Sequence, residues 1–275
     1  MENNTANEKM LELAKEVAKD VYADAGKPIA KPAGELLGLV PRAIRAALEP
    51  VEKWVLQREY NIAETKLLLE KKLANVQPEL IEAPEAHIAV PALQYISYCM
   101  DNDELRDMYA NLLANSMNKI VKRGVHPAFI EIIRQLTPDE ARVLRYLYAI
   151  NYAPIIGLRA YKEEGKSVLA IPLFSNIAEL CGCENARDSE KYINNLTRLG
   201  LVKIRDDESL IDKSLYDPLK AHPMIKSLSE HIKQKPNVSK VGIDEWYMEL
   251  TAFGKSFCSI CLGKQTIVAS SIVDK

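Results

Sequence analysis

Four cysteines have the spacing best suited to metal chemistry. Cys181 and Cys183 flank a single glycine, and two residues separate Cys258 from Cys261. Two such pairs hold zinc through four thiolates if their helices meet. The second pair shares a predicted helix face with Phe257, where small buried thiols are ordinary core residues. The spacing therefore favours core packing of these cysteines and keeps a zinc site as the alternative.

Four polar residues near the end of a predicted helix are of types that contact bases or a partner protein: Asn194, Asn195, Thr197 and Arg198. Amide and guanidinium groups can recognise base edges, but DNA binding also needs a basic surface. Between residues 184 and 208, five basic residues stand against six acidic ones. The pattern favours a protein partner and keeps nucleic acid as an alternative.

Catalytic motifs are not evident in the sequence. It contains no glycine-rich phosphate loop, nucleophile elbow, histidine-rich metal motif or nuclease-like carboxylate set. His126 precedes Pro127 at a predicted helix start, where a capping role is favoured over acid–base chemistry. We therefore expect a protein that is not an enzyme and has no catalytic residues, resident metal or other cofactor.

The helices that would position these residues are most clearly marked between Asp101 and Leu147. Asp101 and Glu104 have the spacing of a capping box. Thr137, Pro138 and Glu140 combine a cap, a first-turn proline and a glutamate that reaches back, which makes them the best helix start in the chain. The first of three predicted helices has an apolar face made by Leu105, Met108, Tyr109, Leu112, Leu113, Met117 and Ile120.

The order of the later elements predicts a winged helix-turn-helix-like domain with a small β-wing. Residues 152–165 are expected to be irregular and 167–172 to form a strand. A helix from about residue 186 to residue 199, ended by Gly200, would be the recognition helix. Strands at 201–204 and 246–250 would form the wing, enlarged by an insertion over 205–245. The fold class predicted for the whole chain is mainly α.

An amphipathic lead-in precedes this region, so we predict three parts, 1–76, 77–136 and 137–275. Within the lead-in, an apolar face continues at helical steps past two prolines. It is expected to pack on the central helices or on a partner helix, and contact with a membrane surface is the alternative. The face consists of Leu36, Val40, Ile44, Leu48, Val51, Trp54 and Val55.

Two stretches, ELRDMYANLLANSM and HPAFIEIIRQLTPDEARVL, resemble the Abi-alpha family of bacterial proteins associated with abortive infection, a defence against phage. A looser likeness runs from about Leu11 to the C-terminal ELTAFGKSFCSIC. The resemblance implies a defence role and supplies neither a mechanism nor catalytic residues. We expect a non-enzymatic defence factor that acts by protein contact or by perturbing the membrane surface. A DNA-binding regulator built on the predicted winged domain is the alternative function.

Composition limits the setting in which such a protein works. The chain has 275 residues, 48% of them hydrophobic, and a formal net charge of -2, which argues against nucleic-acid binding through global charge. The N-terminus lacks the basic start and apolar run of a signal peptide. With five cysteines, an odd number, we expect free thiols in a reducing cytoplasm. Action at the inner face of the membrane, by disturbing its surface, remains the alternative to protein contact.

Overall fold

The computed structural model describes residues 59–163 and 165–263, with side chains from Glu64 onward. These residues divide into two units, 59–136 together with 260–263, and 137–259. Each unit has its own secondary structure and its own buried side chains.

The first unit is helical. Its helices are α1 (Glu59–Leu73), α2 (Ala86–Ile96), α3 (Asp103–Ser116) and α4 (Ala128–Arg134), with single 3-10 turns at Pro78–Leu80 and Lys122–Gly124. Helix α3 is central to the unit. Its buried residues include Met108, Tyr109, Leu112 and Leu113.

The start of α3 differs by one position from the predicted capping box. Asn102 is the cap, because its Oδ1 accepts a hydrogen bond from the Leu105 N–H at 3.1 Å. Asp101 lies in the turn before it. The predicted apolar face holds through Met117, which is fully buried, but Ile120 lies beyond the helix and is 69% exposed.

Two asparagines of α3 complete the first unit by binding the end of the last helix. The Asn111 Nδ2 donates to the carbonyl oxygen of Cys261 at 2.9 Å, and the Asn115 Nδ2 donates to that of Ile260 at 2.7 Å. The last carbonyls of a helix have no partner within the helix, so these amides stabilise its end. No local pattern in the sequence predicts this pairing.

The second unit combines helices with one sheet. Its elements in chain order are α5 (Pro138–Ile150), β1 (Tyr152–Lys162), β2 (Ser167–Phe174), α6 (Ile177–Leu180), α7 (Ser189–Arg198), β3 (Val202–Arg205), α8 (Asp217–Ala221), α9 (Pro223–Lys233), β4 (Val238–Leu250) and α10 (Ala252–Cys261), whose last residues belong to the first unit. The four strands are antiparallel neighbours in the order β2-β1-β4-β3.

The predicted fold class, a mainly α chain with a winged helix-turn-helix-like domain, is wrong for this unit. The pair β3–β4, expected as a small wing, is one edge of a four-stranded antiparallel sheet, and β4 pairs with β1 along almost its whole length. The recognition-helix and wing description therefore does not apply. A C-terminal sheet region takes its place.

Strand β1 escaped prediction because its central residues are covered on both faces. Its apolar residues are consecutive rather than alternating, and Ile155, Ile156 and Leu158 are all fully buried. Pro154 precedes Ile156, the first β1 residue paired with β2, so its missing N–H removes no bond from the β1–β2 ladder.

The segment predicted as an oversized wing insertion forms a layer over one face of the sheet. A 3-10 turn at Lys213–Tyr216 and helices α8 and α9 bury apolar side chains against β1 and β2. Two lysines fasten this layer to β4, since the Glu245 carboxylate lies 2.9 Å from the Lys213 Nζ and 2.6 Å from the Lys220 Nζ. The core of this layer contains Ile156, Leu158, Ala160, Phe174, Tyr216, Leu219, Ile225 and Ile232.

Candidate interaction surface

The exposed side of helix α7 depends on a buried polar network at the start of α5. The predicted capping box is confirmed. The Thr137 Oγ1 accepts from the Glu140 N–H at 3.2 Å, and the Glu140 Oε2 accepts from the Thr137 N–H at 2.6 Å. The other carboxylate oxygen of Glu140, Oε1, accepts from the Asn195 Nδ2 at 2.8 Å. One glutamate thus caps α5 and binds α7.

Asp139, the neighbour of that glutamate, is the second link. Only 6% of it is exposed, and its carboxylate accepts four hydrogen bonds. Oδ1 accepts from the Glu184 N–H at 3.0 Å and from the Arg142 Nη1 at 2.8 Å. Oδ2 accepts from the Tyr192 hydroxyl at 2.8 Å and from the Asn185 N–H at 3.2 Å. The turn before α7 and α7 itself are therefore tied to the first turn of α5.

These contacts set the charge state of Asp139. Burial alone would raise the pKa of its carboxyl. The hydrogen bonds from Glu184, Tyr192 and Asn185, together with the Arg142 guanidinium, outweigh burial and lower the pKa below its ordinary value. The group is an ionised carboxylate whose oxygens are all engaged, so it serves to position α7.

The structure separates the four predicted contact residues into two kinds. The Asn195 amide is used internally, because its Nδ2 binds Glu140 and its Oδ1 accepts from the Arg198 Nε at 3.0 Å. Asn194, Thr197 and Arg198 are exposed. They are three and four positions apart on α7, so they share its outer side. We call these three residues the α7 surface.

The charges around the α7 surface are balanced. Lys191 lies 3.7 Å from Asp188, and the Arg198 guanidinium is held by Asn195. Glu190 is exposed on the same helix. The α7 surface therefore does not carry the excess of positive charge that phosphate binding requires.

A second exposed region, which the sequence did not predict, lies on the face of the sheet opposite α8 and α9. Here the Arg159 guanidinium binds the Asp244 carboxylate at 2.7 Å. A Cβ placed at Gly242 would lie 2.9 Å from the Tyr161 ring, so the ring covers that glycine. The Lys240 Nζ lies 5.9 Å from the centre of the same ring. The sequence did not predict this region because β1 was not recognised as a strand. These residues become neighbours only when β1 pairs with β4.

A model of the abortive infection alpha family matches residues 57–261. The chain belongs to the abortive infection alpha family. The resemblance found in the sequence is thereby confirmed for most of its length. All the residues of the polar network and of the α7 surface lie within the matched range.

Two further proteins are similar to this member of the abortive infection alpha family. The Ral GTPase-activating protein subunit alpha-2 of Mus musculus is 21% identical over 224 residues, which are 80% of this chain and 12% of that protein. The chain therefore spans a small part of that relative. An uncharacterized protein from the hydrocarbon-degrading marine bacterium Alcanivorax borkumensis SK2 matches 49% of this chain and 94% of its own length, with 20% identity and a TM-score of 0.35.

Three cysteines of this Abi-alpha protein lie in environments that disfavour the thiolate. Burial raises the pKa of the Cys181 and Cys258 thiols to about 12 each, and that of Cys183 to about 11. Cys261 is fully buried. Within residues 59–163 and 165–263, no three His, Cys, Asp or Glu side chains are grouped so that they could hold a metal ion.

His126 has a structural contact at the position where the sequence placed it. Its Nδ1 accepts a hydrogen bond from the Ala128 N–H at 3.1 Å, at the start of α4. Its ring centre lies 6.0 Å from that of Phe129. The capping role predicted for this histidine is the one that its geometry supports.

The predicted membrane or partner-helix face, from Leu36 to Val55, lies outside the described residues. Among the helices that are described, none combines the length and apolar character needed to cross a bilayer. The interaction surfaces built above are those of the second unit.

Proposed function

We propose that this protein is a non-enzymatic abortive-infection factor that acts by binding another protein through the α7 surface. The observation that carries the proposal is the division of labour within α7. Its inner side is fixed by Asp139 and Glu140, and its outer side presents Asn194, Thr197 and Arg198 to solvent. A preorganised polar surface on a rigid helix loses little conformational entropy when a partner binds.

The ionisable groups near this surface support binding rather than chemistry. Each oxygen of the Asp139 carboxylate already accepts two hydrogen bonds. The nearby Cys181 and Cys183 thiols have raised pKa values, whereas a nucleophilic cysteine needs a lowered one. The charge balance around α7 supports a protein partner over nucleic acid.

The test is survival of cultures challenged with phage at low and high ratios of phage to cells. Wild type is expected to protect at the low ratio and to give early collapse at the high ratio. The double variant N194E/T197E should lose protection, because it places two new carboxylates on the α7 surface. The control K226E makes the same total change of charge at an exposed position of α9 and should protect like wild type.

Two further arms separate the alternatives. If N194E/T197E protects fully while a chain lacking residues 27–55 does not, the proposal fails and action through the N-terminal face replaces it. If purified wild type shifts a DNA fragment, and the shift weakens steeply as salt rises, nucleic acid becomes the partner. Melting temperatures of all variants identify any loss of protection that comes from unfolding.

A further inference from the structure

Strand β4 is much longer than its neighbour β3. It runs from Val238 to Leu250, but β3 pairs only with its end, from Tyr247 to Leu250. On its other side β1 accompanies it along nearly all its length. Within the described part of the chain, no strand lies beside the outer edge of β4 from Ser239 to Trp246. We call this stretch, 239–246, the free edge.

Backbone alternation shows which groups of the free edge are available. The Thr251 N–H, just after β4, donates outward to the Leu201 carbonyl oxygen at 3.0 Å. Successive residues of an antiparallel strand direct their N–H and C=O groups to opposite sides, and the register of β4 is unbroken from Leu250 to Lys240. The N–H and C=O groups of Val241, Ile243 and Glu245 therefore point outward. No described backbone group bonds to them there.

The opposite edge of the sheet is protected against pairing. Strand β2 contains Pro172 and two irregularities of register against β1. Proline and bulges are common devices that prevent the addition of another strand. The free edge of β4 has neither device between Ser239 and Trp246.

The side chains of the free edge are complementary to a second copy of themselves. In an antiparallel pair with its two-fold axis at Gly242, Lys240 stands opposite Asp244 of the second copy. On the other face, Val241 stands opposite Ile243, which is 39% exposed. Opposite charges and apolar pairs at facing positions stabilise a sheet. Parallel pairing in register would instead place Lys240 against Lys240 and Asp244 against Asp244.

The backbone and the neighbouring strand fit this arrangement. The axis at Gly242 makes outward-pointing residues face outward-pointing residues, as hydrogen bonding requires. Gly242 places no side chain at the axis itself. Residues 239–245 of one copy pair with residues 245–239 of the other. The pairing therefore ends before Tyr247, where β3 pairs with β4. The arrangement is isologous and closes at two copies.

We propose that this chain forms a two-fold dimer in which the free edges of two β4 strands pair antiparallel around Gly242, joining two four-stranded sheets into one. The occupant of the free edge is thus a second copy of the same chain. Lys240 of each copy reaches the Asp244 carboxylate of the other, which Arg159 already holds in place. The proposal does not depend on the function of the α7 surface.

The first test is sedimentation of the full chain across a concentration series. The weight-average mass is expected to rise from 30.9 kDa to twice that value as concentration increases. The variant K240E should stay at the monomer mass, because it sets two carboxylates opposite each other. The variant K226E makes the same charge change at an exposed position of α9 and should dimerise like wild type.

A proline variant tests the edge itself. The Ile243 N–H points away from β1, so I243P removes no bond of the β1–β4 ladder and blocks only pairing with a second copy. Its circular dichroism should match that of wild type while its mass stays at 30.9 kDa. A monomeric wild type, or dimers of unchanged affinity in both K240E and I243P, would overturn the proposal.

A cross-linking experiment tests the register. A short bis-maleimide should link a mixture of V241C and I243C chains, because these positions face each other across the axis. Either variant alone should link less, and wild type shows the background from native cysteines. Equal linking of the single variants and the mixture would exclude pairing centred at Gly242.

Discussion

Two glycines show how differently the two sides of the second unit are packed. A Cβ added to Gly254 in α10 would lie 2.0 Å from the carbonyl oxygen of Leu201. The atoms nearest to one added to Gly157 in β1 would belong to side chains, the Leu169 Cδ1 at 3.0 Å and the Trp246 ring at 3.1 Å. At Gly254, on the helical side, the added atom would collide with the backbone of Leu201. At Gly157, on the open side of the sheet, the nearest obstacles are side chains. The side that positions α7 is therefore the less adaptable one.

The largest effect is expected for Gly254→Ala. The new methyl group can fit only if α10 moves away from Leu201, which also strains the hydrogen bond from the Thr251 N–H to that carbonyl. We expect a loss of about 4 kcal/mol in the free energy of unfolding, above the usual range for an overpacked site. Urea denaturation measures it. A loss comparable to that of Gly157→Ala would show that α10 is free to shift.

Asp139→Ala should have the next largest effect. It leaves the Arg142 guanidinium, the Tyr192 hydroxyl and two N–H groups without their carboxylate. Removing one partner of a buried, hydrogen-bonded charge costs about 3 kcal/mol or more. The exposed Glu190 on α7 provides the control, because Glu190→Ala should change stability very little. Equal stability of the two variants would contradict a central role for Asp139.

The same carboxylate makes stability depend on pH. Because its folded-state pKa is lowered, its contribution is fully present above the ordinary Asp value of about 3.9 and is lost as pH falls through the folded-state pKa. The stability difference between wild type and Asp139→Asn should therefore hold from neutral pH downward and shrink only in acid. Denaturation at a series of pH values measures it. A difference that shrank near pH 6, roughly two units above the ordinary value, would contradict the assignment.

Gly157→Ala is expected to have the smallest effect. The ends of Leu169 and Trp246 need to move by only a few tenths of an ångström, so the cost should be about 1 kcal/mol or less. Thermal unfolding alongside Gly254→Ala gives a direct comparison of the same chemical change at both sites. A large loss at Gly157 would mean that the sheet side is as rigid as the helical side.

Local patterns were the part of the fold that could be predicted. The capping box of Thr137 and Glu140 was predicted correctly because all its bonds join residues three apart. The cap of α3 was missed by one residue, since Asp101 and Asn102 are both good capping residues and only the path of the chain selects Asn102. The family, too, was correctly recognised from contiguous stretches.

The candidate site was predicted only in part. The sequence singled out Asn195 for contact with a partner, but its amide binds Glu140, 55 positions earlier in the chain. Asp139 seemed to be a residue of a helix start and is the acceptor for Glu184, Asn185 and Tyr192. Neither role has a local signature, because both depend on which helices pack together.

The sequence by itself determined the capping box of α5, the apolar face of α3 as far as Met117, and the family, all of which rest on residues within a few positions of one another. Only the tertiary structure decided that β1 is a strand, that β4 extends past β3, and that Gly254 must be a glycine. Pairing of β1 with β4 joins Tyr152 to Glu249 and Lys162 to Val238. Such contacts gain their free energy from burial and hydrogen bonds between distant segments, which no local pattern records.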